Sequence, residues 1–345
     1  MSGNTNPRVL IVGAGSMGII TGYYLHLAGA EVTFLVRPHR AEALNRPQIL
    51  YCYDDNTLKT YKEYTYLTNP SEIIGANYDF IIITLDGAAL RNETGISLIQ
   101  TIAQAARQNP TTKILLGTIF LDIRTWFLSV SGLAAEQVTT CHLDIHVYAT
   151  KDVNLPLHPP TDAEVLAKSD FAYSDKRPQG FTADDSALAV AQSFAELWNR
   201  GNLSRCAVEP AAEGATMINS LFPIFAASEL LGWPKFYDIA SADSELWSLV
   251  VASVREIQGL DVHGDIGRRA ALETTEEGLS EMLAGWEVLM YPLDLQAFNH
   301  FHHGSKLKGQ GRLHLRTCVE RGEAEGKEMV ALRELVRRVE AREAK

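Results

Sequence analysis

Cysteine is scarce in this chain, and its four copies keep apart. Cys52, Cys141, Cys206 and Cys318 form no CxxC pair and no disulfide or zinc spacing. That usage is expected of a reducing compartment, and so of a cytoplasmic protein. No apolar run approaches the length of a membrane span, and the polar stretch from Met1 to Pro7 is too short for a signal peptide. No internal repeat or low-complexity segment is visible. Positive charge is in deficit: 31 Lys and Arg stand against 42 Asp and Glu, a net −11. Nothing then offsets phosphate repulsion over a wide surface, which argues against nucleic acid as a general partner. What is present is an ordinary globular composition, 46% hydrophobic and 21% charged, over 345 residues. That length allows two domains with cores of their own.

The densest local signal is Gly13-Ala14-Gly15-Ser16-Met17-Gly18. It follows the apolar run Val9-Leu10-Ile11-Val12 and leads into a helical pattern from Ile19 to Ala28. Strand, tight turn and helix in that order make a dinucleotide-binding unit. Gly13 permits the turn, Gly15 lets backbone approach a pyrophosphate, and Gly18 lets the helix pack close to the strand. The helix start, with Ser16 and Met17, offers free N–H groups and a positive dipole end to phosphate. A second strand, Glu31 to Val36, ends at Arg37, with His39 and Arg40 close behind. An NAD site wants a carboxylate at that point, for the ribose 2′-hydroxyl. A guanidinium pairs instead with a 2′-phosphate, so Arg37 and Arg40 point to NADP(H).

The first half alternates strands and helices. A helical stretch near Arg40 to Leu44 precedes a hairpin: Ile49 to Tyr53, a turn at Asp54-Asp55-Asn56, then Thr57 to Tyr66. Phe80 to Thr84 and Lys113 to Gly117 are continuous apolar runs, the signature of strands buried on both faces in a parallel sheet. A helix is expected between Gly95 and Gln108, and a further strand from Val138 to Ala149. After the Pro-rich region Lys151–Asp185 the pattern turns helical: Ala187–Trp198, Ala211–Leu231 with Pro223 inside, Glu245–Gly259, Thr275–Met290 and Val330–Val339. The expected architecture is α/β, a Rossmann domain over 1–182 followed by an all-helical domain over 183–345.

With both halves in view, the chain resembles the ketopantoate reductase family within the wider 6-phosphogluconate dehydrogenase-like group. The glycine motif, Arg37, and a long helix carrying Asn219 and Pro223 carry the resemblance. It implies NADPH-dependent reduction of a 2-oxo acid, with a lysine as proton donor and Asn, Ser and Glu side chains holding the substrate. Four positions depart from that pattern. Leu85-Asp86-Gly87 stands where the family tends to carry a lysine, and Gly117-Thr118 where it has Asn-Gly. Ala215 occupies the place of the helix lysine, four residues before Asn219. Residues 295–319 hold no Asp or Glu; they hold His300, His302, His303, Lys306, Lys308, Arg312, His314 and Arg316.

A carbonyl reduction needs a proton for the developing alkoxide. Lys306, Lys308, His300, His302 and His303 are the candidates, weighed against ordinary solvated charges. Lys306, His303, Asn219 and Asp86 form the candidate catalytic set. Asp86, at a strand end, equally suits capping the next helix. Leu85 is counted with the cofactor contacts. Arg124 could take a substrate carboxylate or make a surface ion pair. His142, Asp144 and His146 would share one face of a strand, but with no further cluster at matching spacing no metal is assigned. The wall Phe222, Phe225, Leu230, Leu231 and Trp233 reads as core. The expected activity is reduction of a small ketone or imine other than ketopantoate. The alternatives are a non-redox isomerase or cyclase, or an NADP-binding protein, on the same scaffold. No membrane partner is expected, and a homodimer is left open.

Overall fold

The computed structural model describes residues 6–343. Its strands are β1 (Arg8–Val12), β2 (Glu31–Leu35), β3 (Gln48–Cys52), β4 (Thr57–Tyr61), β5 (Thr65–Leu67), β6 (Phe80–Ile83), β7 (Lys113–Leu116), β8 (Val138–Leu143), β9 (His146–Ala149), β10 (Phe171–Ser174), β11 (Phe181–Asp184) and β12 (Cys206–Glu209). The chain divides into two units. One takes the chain up to Asn154 and again Pro160–Pro210; the other takes Leu155–Pro159 and the chain from Ala211.

The first unit is built on an eight-stranded sheet in the order β12-β11-β8-β7-β6-β1-β2-β5. From β5 to β8 all neighbours are parallel; β11 then runs antiparallel to β8 and carries β12 parallel to itself. The apolar runs explain the middle of this order. Val9 to Val12 and Phe80 to Ile83 are buried without alternation, because helices cover a parallel sheet on both faces. The helix Glu93–Gln108 buries Ile99, Ile102, Ala103 and Ala106 on one face, and Asn92 caps its start by accepting from the Gly95 amide. A Rossmann arrangement is thereby in place.

Two expected strands divide in two. Thr57–Tyr66 splits: β4 pairs antiparallel with β3, whereas β5 pairs parallel with β2 on the edge of the large sheet. Val138–Ala149 likewise splits at Asp144-Ile145, whose amides both bond the Gly180 carbonyl. β8 stays in the large sheet; β9 joins a four-stranded sheet in the order β4-β3-β10-β9. The expected single face of His142, Asp144 and His146 is lost with that break. Asp144 instead accepts from Thr182 Oγ1 at 2.9 Å and lies 3.5 Å from both Arg177 and His142.

The expected boundary at 182/183 falls inside β11. Ala183 is paired there with Cys141, and Phe181 packs on Phe194 and Trp198 of the helix Leu188–Asn199. That helix and β12 therefore belong with the sheet.

The second unit is helical: Ala211–Leu231, Ser244–Gln258, Gly264–Glu273, Glu276–Met290, Leu295–Phe301, a turn of π-helix at His302–Lys306, Lys308–Ala324 and Val330–Glu343 are its main elements. In the last helix Leu332, Leu335 and Val339 are buried, as their shared face predicts. The helix Ala211–Leu231 corrects one expectation: it is long and apolar enough to cross a membrane, with a mean hydropathy of 1.2. Half of its most apolar stretch is buried within the protein, as in a core helix.

Phe194 is fully buried among Phe80, Phe181 and Trp198. Truncation to Ala leaves a cavity that the close-packed rings cannot refill. Phe194→Ala is expected to cost about 3–5 kcal/mol, read from the urea midpoint of the first unit's unfolding.

Candidate functional site

The glycine turn is held by three strand ends. Gly13 has φ +108° and donates its N–H to Leu35 of β2 at 2.9 Å. Thr84, just past β6, donates its hydroxyl to the Val12 carbonyl at 2.9 Å. A Cβ at Gly13 would lie 2.8 Å from that hydroxyl oxygen, and one at Gly18 only 2.2 Å from the Gly13 carbonyl oxygen. Gly15 differs: it is exposed, and a Cβ there would meet nothing within 4 Å. The space in front of Gly15 is thus the open cradle that a phosphate group needs.

The helix behind it, Ser16–Leu27, has no side-chain cap and no acid in its first turn. Its leading amides are left for an anion. Ser16 is buried, and Met17 reaches under Gly117, where a Cβ would sit 2.6 Å from its methyl carbon. Leu85 lines the same turn, 3.4 Å from the place of a Gly13 Cβ, and its carbonyl accepts from Thr118 Oγ1 at 2.7 Å. Thr84 and Thr118 are the contributions that sequence reasoning missed; short polar residues after apolar strands carry no distinctive pattern.

Arg37 stands exposed at the end of β2, and Arg40 is half-buried one short helical turn later. Neither guanidinium has an ion-pair or hydrogen-bond partner among the described residues. Two cations without acids beside a phosphate cradle fit a phosphorylated dinucleotide.

The catalytic candidates resolve differently. Asp86 caps the helix Gly87–Arg91, accepting from the Ala89 amide at 2.8 Å. Arg124 is spent on backbone carbonyls, of Val138, Ala135 and Ser186, so neither expectation for it holds. In the second unit Lys308 lies 3.1 Å from Glu229, and Arg312 grips both oxygens of Glu229 at 2.8 Å. Glu229 supplies the acid that residues 295–319 lack.

The histidines there are ring-stacked. His303 lies on Phe225 with centroids 3.6 Å apart, His314 on Phe222 at 3.9 Å, and His300 on Trp233 at 5.3 Å. Phe222, Phe225, Glu229, His303, Lys308 and Arg312 line a small cavity, so the aromatic wall is in part a pocket lining. Lys306 is exposed in the π-turn. Asn219 is buried, and its amide nitrogen faces Nε2 of the fully buried His263 at 2.9 Å. His263 Nδ1 faces the Ile257 carbonyl at 2.8 Å, so Nδ1 carries the proton, Nε2 accepts, and Asn219 donates. No local spacing joins Asn219 to His263, so only the fold could find this pair.

These features define a Rossmann α/β domain joined to a helical unit. Residues 9–116 match the model of the family described as ketopantoate reductase PanE/ApbA, in line with the resemblance seen in the sequence. Solved structures similar over nearly the full length confirm the fold. A 2-dehydropantoate 2-reductase from Geobacter metallireducens is 17% identical, with TM-score 0.65, covering 97% of this chain and 99% of its own. A 2-dehydropantoate 2-reductase from Methylococcus capsulatus is 14% identical, with TM-score 0.62, covering 98% and 97%. A D-mandelate dehydrogenase solved with NADH and anilino(oxo)acetate is 13% identical, with TM-score 0.65, covering 98% of both chains. No curated protein matches the chain in sequence.

Gly15→Ala is expected to leave thermal stability unchanged and to weaken dinucleotide binding about tenfold or more, because its methyl fills the cradle. Gly18→Ala is expected to lose about 1–3 kcal/mol in thermal unfolding, since its methyl strikes backbone. A second test concerns His302, which stacks on Phe298 at 5.5 Å. Burial, with Lys306 adding to it, pushes its pKa from 6.5 down to about 4. The unfolded chain then binds the proton that the folded ring refuses. The stability this residue contributes is full above about 6.5 and is lost as pH falls toward 4. Urea unfolding across that window is expected to show a shallower pH slope in His302→Gln.

Proposed function

We propose that this chain is an NADPH-dependent oxidoreductase that reduces the carbonyl or imine of a small molecule. The observation that carries the proposal is the open cradle at Gly15 together with the acid-free cations Arg37 and Arg40. The family match over residues 9–116 supports the nicotinamide chemistry, as does a fold shared with a D-mandelate dehydrogenase solved with NADH. When bound, the nicotinamide supplies the hydride. The chain's own residues then have separate tasks. The amides of Ser16, Met17 and Gly18 hold the pyrophosphate, and Arg37 takes the 2′-phosphate with Arg40 adding charge.

Asn219 orients a substrate hydroxyl or N–H through its amide oxygen, because His263 occupies its amide nitrogen. Lys306, exposed in the π-turn, is the proton donor this reading favours. A second reading, a non-redox isomerase or a dinucleotide-binding protein, draws on one observation: Ala215 stands where the family's helix lysine would be.

Fluorescence titration is expected to show NADPH binding about tenfold or more tightly than NADH, and Arg37→Ala is expected to abolish the preference. Tighter NADH binding overturns the role of Arg37, and no binding of either overturns the proposal. Product formed from a carbonyl substrate without loss of NADPH absorbance favours the non-redox reading.

A further inference from the structure

Arg91 closes the helix Gly87–Arg91, which leaves the carboxyl end of β6. Its guanidinium carbon lies 4.0 Å from the Phe120 ring centroid and 5.1 Å from that of Trp126. Both rings follow the carboxyl end of β7, the neighbour of β6, with Ile83 paired to Leu116. Two adjacent strand ends thus converge on one cation. The cation sits on the edge that carries the glycine turn. A Cβ at Gly87 would meet Phe120 at 3.0 Å, and Leu85, two residues earlier, lines the turn itself.

The hydrogen bonding of this guanidinium is incomplete. Nη2 makes one long contact, 3.4 Å to the Leu121 carbonyl, and Nε is buried with no acceptor. No carboxylate lies within ion-pair distance of it among the described residues; Asp122 acts only through its field, and burial opposes the charge. Two other arginines of this unit, Arg46 and Arg124, are engaged. Arg46 holds both oxygens of Asp170, and Arg124 holds backbone carbonyls. Aromatic faces stabilise a cation but accept none of its hydrogen bonds in plane. What is left is a guanidinium fixed between rings, with Nη1 and Nη2 lacking a strong acceptor. A planar carboxylate, approached end-on by those two nitrogens, matches that fork.

We propose that Arg91 binds a carboxylate carried by the substrate. This role rests on the reading of the sheet edge as the place where cofactor and substrate meet. Oxamate, a small planar carboxylate, is the probe. It is titrated into the full chain with and without NADP, following tryptophan fluorescence, with Trp126→Phe to assign the signal. Saturable quenching is expected, lost in Trp126→Phe. Arg91→Met is expected to weaken oxamate about tenfold or more while NADPH affinity stays within about twofold, and Arg91→Lys is expected to fall between.

Unchanged oxamate affinity in Arg91→Met, inorganic phosphate binding more tightly than oxamate, or no oxamate binding each overturns the assignment. The two proposals fail separately. NADPH binding without an Arg91-dependent oxamate response removes only the role of Arg91. An Arg91-dependent response in a chain that does not bind NADPH removes only the oxidoreductase reading.

Discussion

The approach of the helix Ser16–Leu27 to the glycine turn is the constraint on which the first unit depends. Helix and turn nearly touch at Gly18, where no side chain fits against the Gly13 carbonyl. That contact fixes the angle at which the helix leaves β1. The same turn is bonded to β2 through Leu35 and to β6 through Thr84. Three neighbouring parallel strands therefore end in one rigid knot of backbone. Rigidity there has a chemical consequence: amides that cannot retreat are already oriented for an anion, so little ordering remains for binding to oppose.

Charge separates function from scaffold in this molecule. The chain is strongly acidic, and several of its cations are matched with acids. In the second unit Lys235 bridges Asp294 at 2.6 Å and Glu287 at 3.2 Å, and Glu229 holds Lys308 and Arg312. Arg37, Arg40 and Arg91 have no acid within ion-pair distance among the described residues, and all three follow the carboxyl ends of the parallel strands β2 and β6. Ligands of open α/β sheets bind at that edge. A cation left without an acid in an acid-rich protein is a stronger pointer than a cation alone, because pairing it would have been easy.

The sequence made legible what depends on short range. The glycine turn, the buried parallel strands and the last helix all come from residues within one or two turns of each other. The strand breaks at 62–64 and at Asp144-Ile145 were hidden, since each half is a good strand and only the sheet decides its partner. The domain boundary was hidden for a related reason: Phe194 and Trp198 look like any amphipathic helix until Phe181 is set against them. The site shows the same split. Arg37 stands out in the sequence because it follows β2 directly. Arg91 does not, because its meaning comes from Phe120 and Trp126, some thirty residues on. The basic, histidine-rich run at 300–316 was legible as composition but not as chemistry. Three of its four imidazoles find their rings, and two of its cations their acid, on or just past the helix Ala211–Leu231.

Asn219 sharpens what chemistry the second unit can contribute. Its partner His263 has one nitrogen on a carbonyl, which accepts only. In the neutral ring the proton sits there, and the other nitrogen accepts from the Asn219 amide. The amide cannot rotate without turning its oxygen toward a lone pair, inside a site where both residues are buried. Asn219 is therefore locked with its oxygen as the uncommitted atom. An amide oxygen accepts hydrogen bonds and has no proton to give. Asn219 suits the task of holding a hydroxyl or an N–H in place, and the proton that a reduction requires must come from a different group.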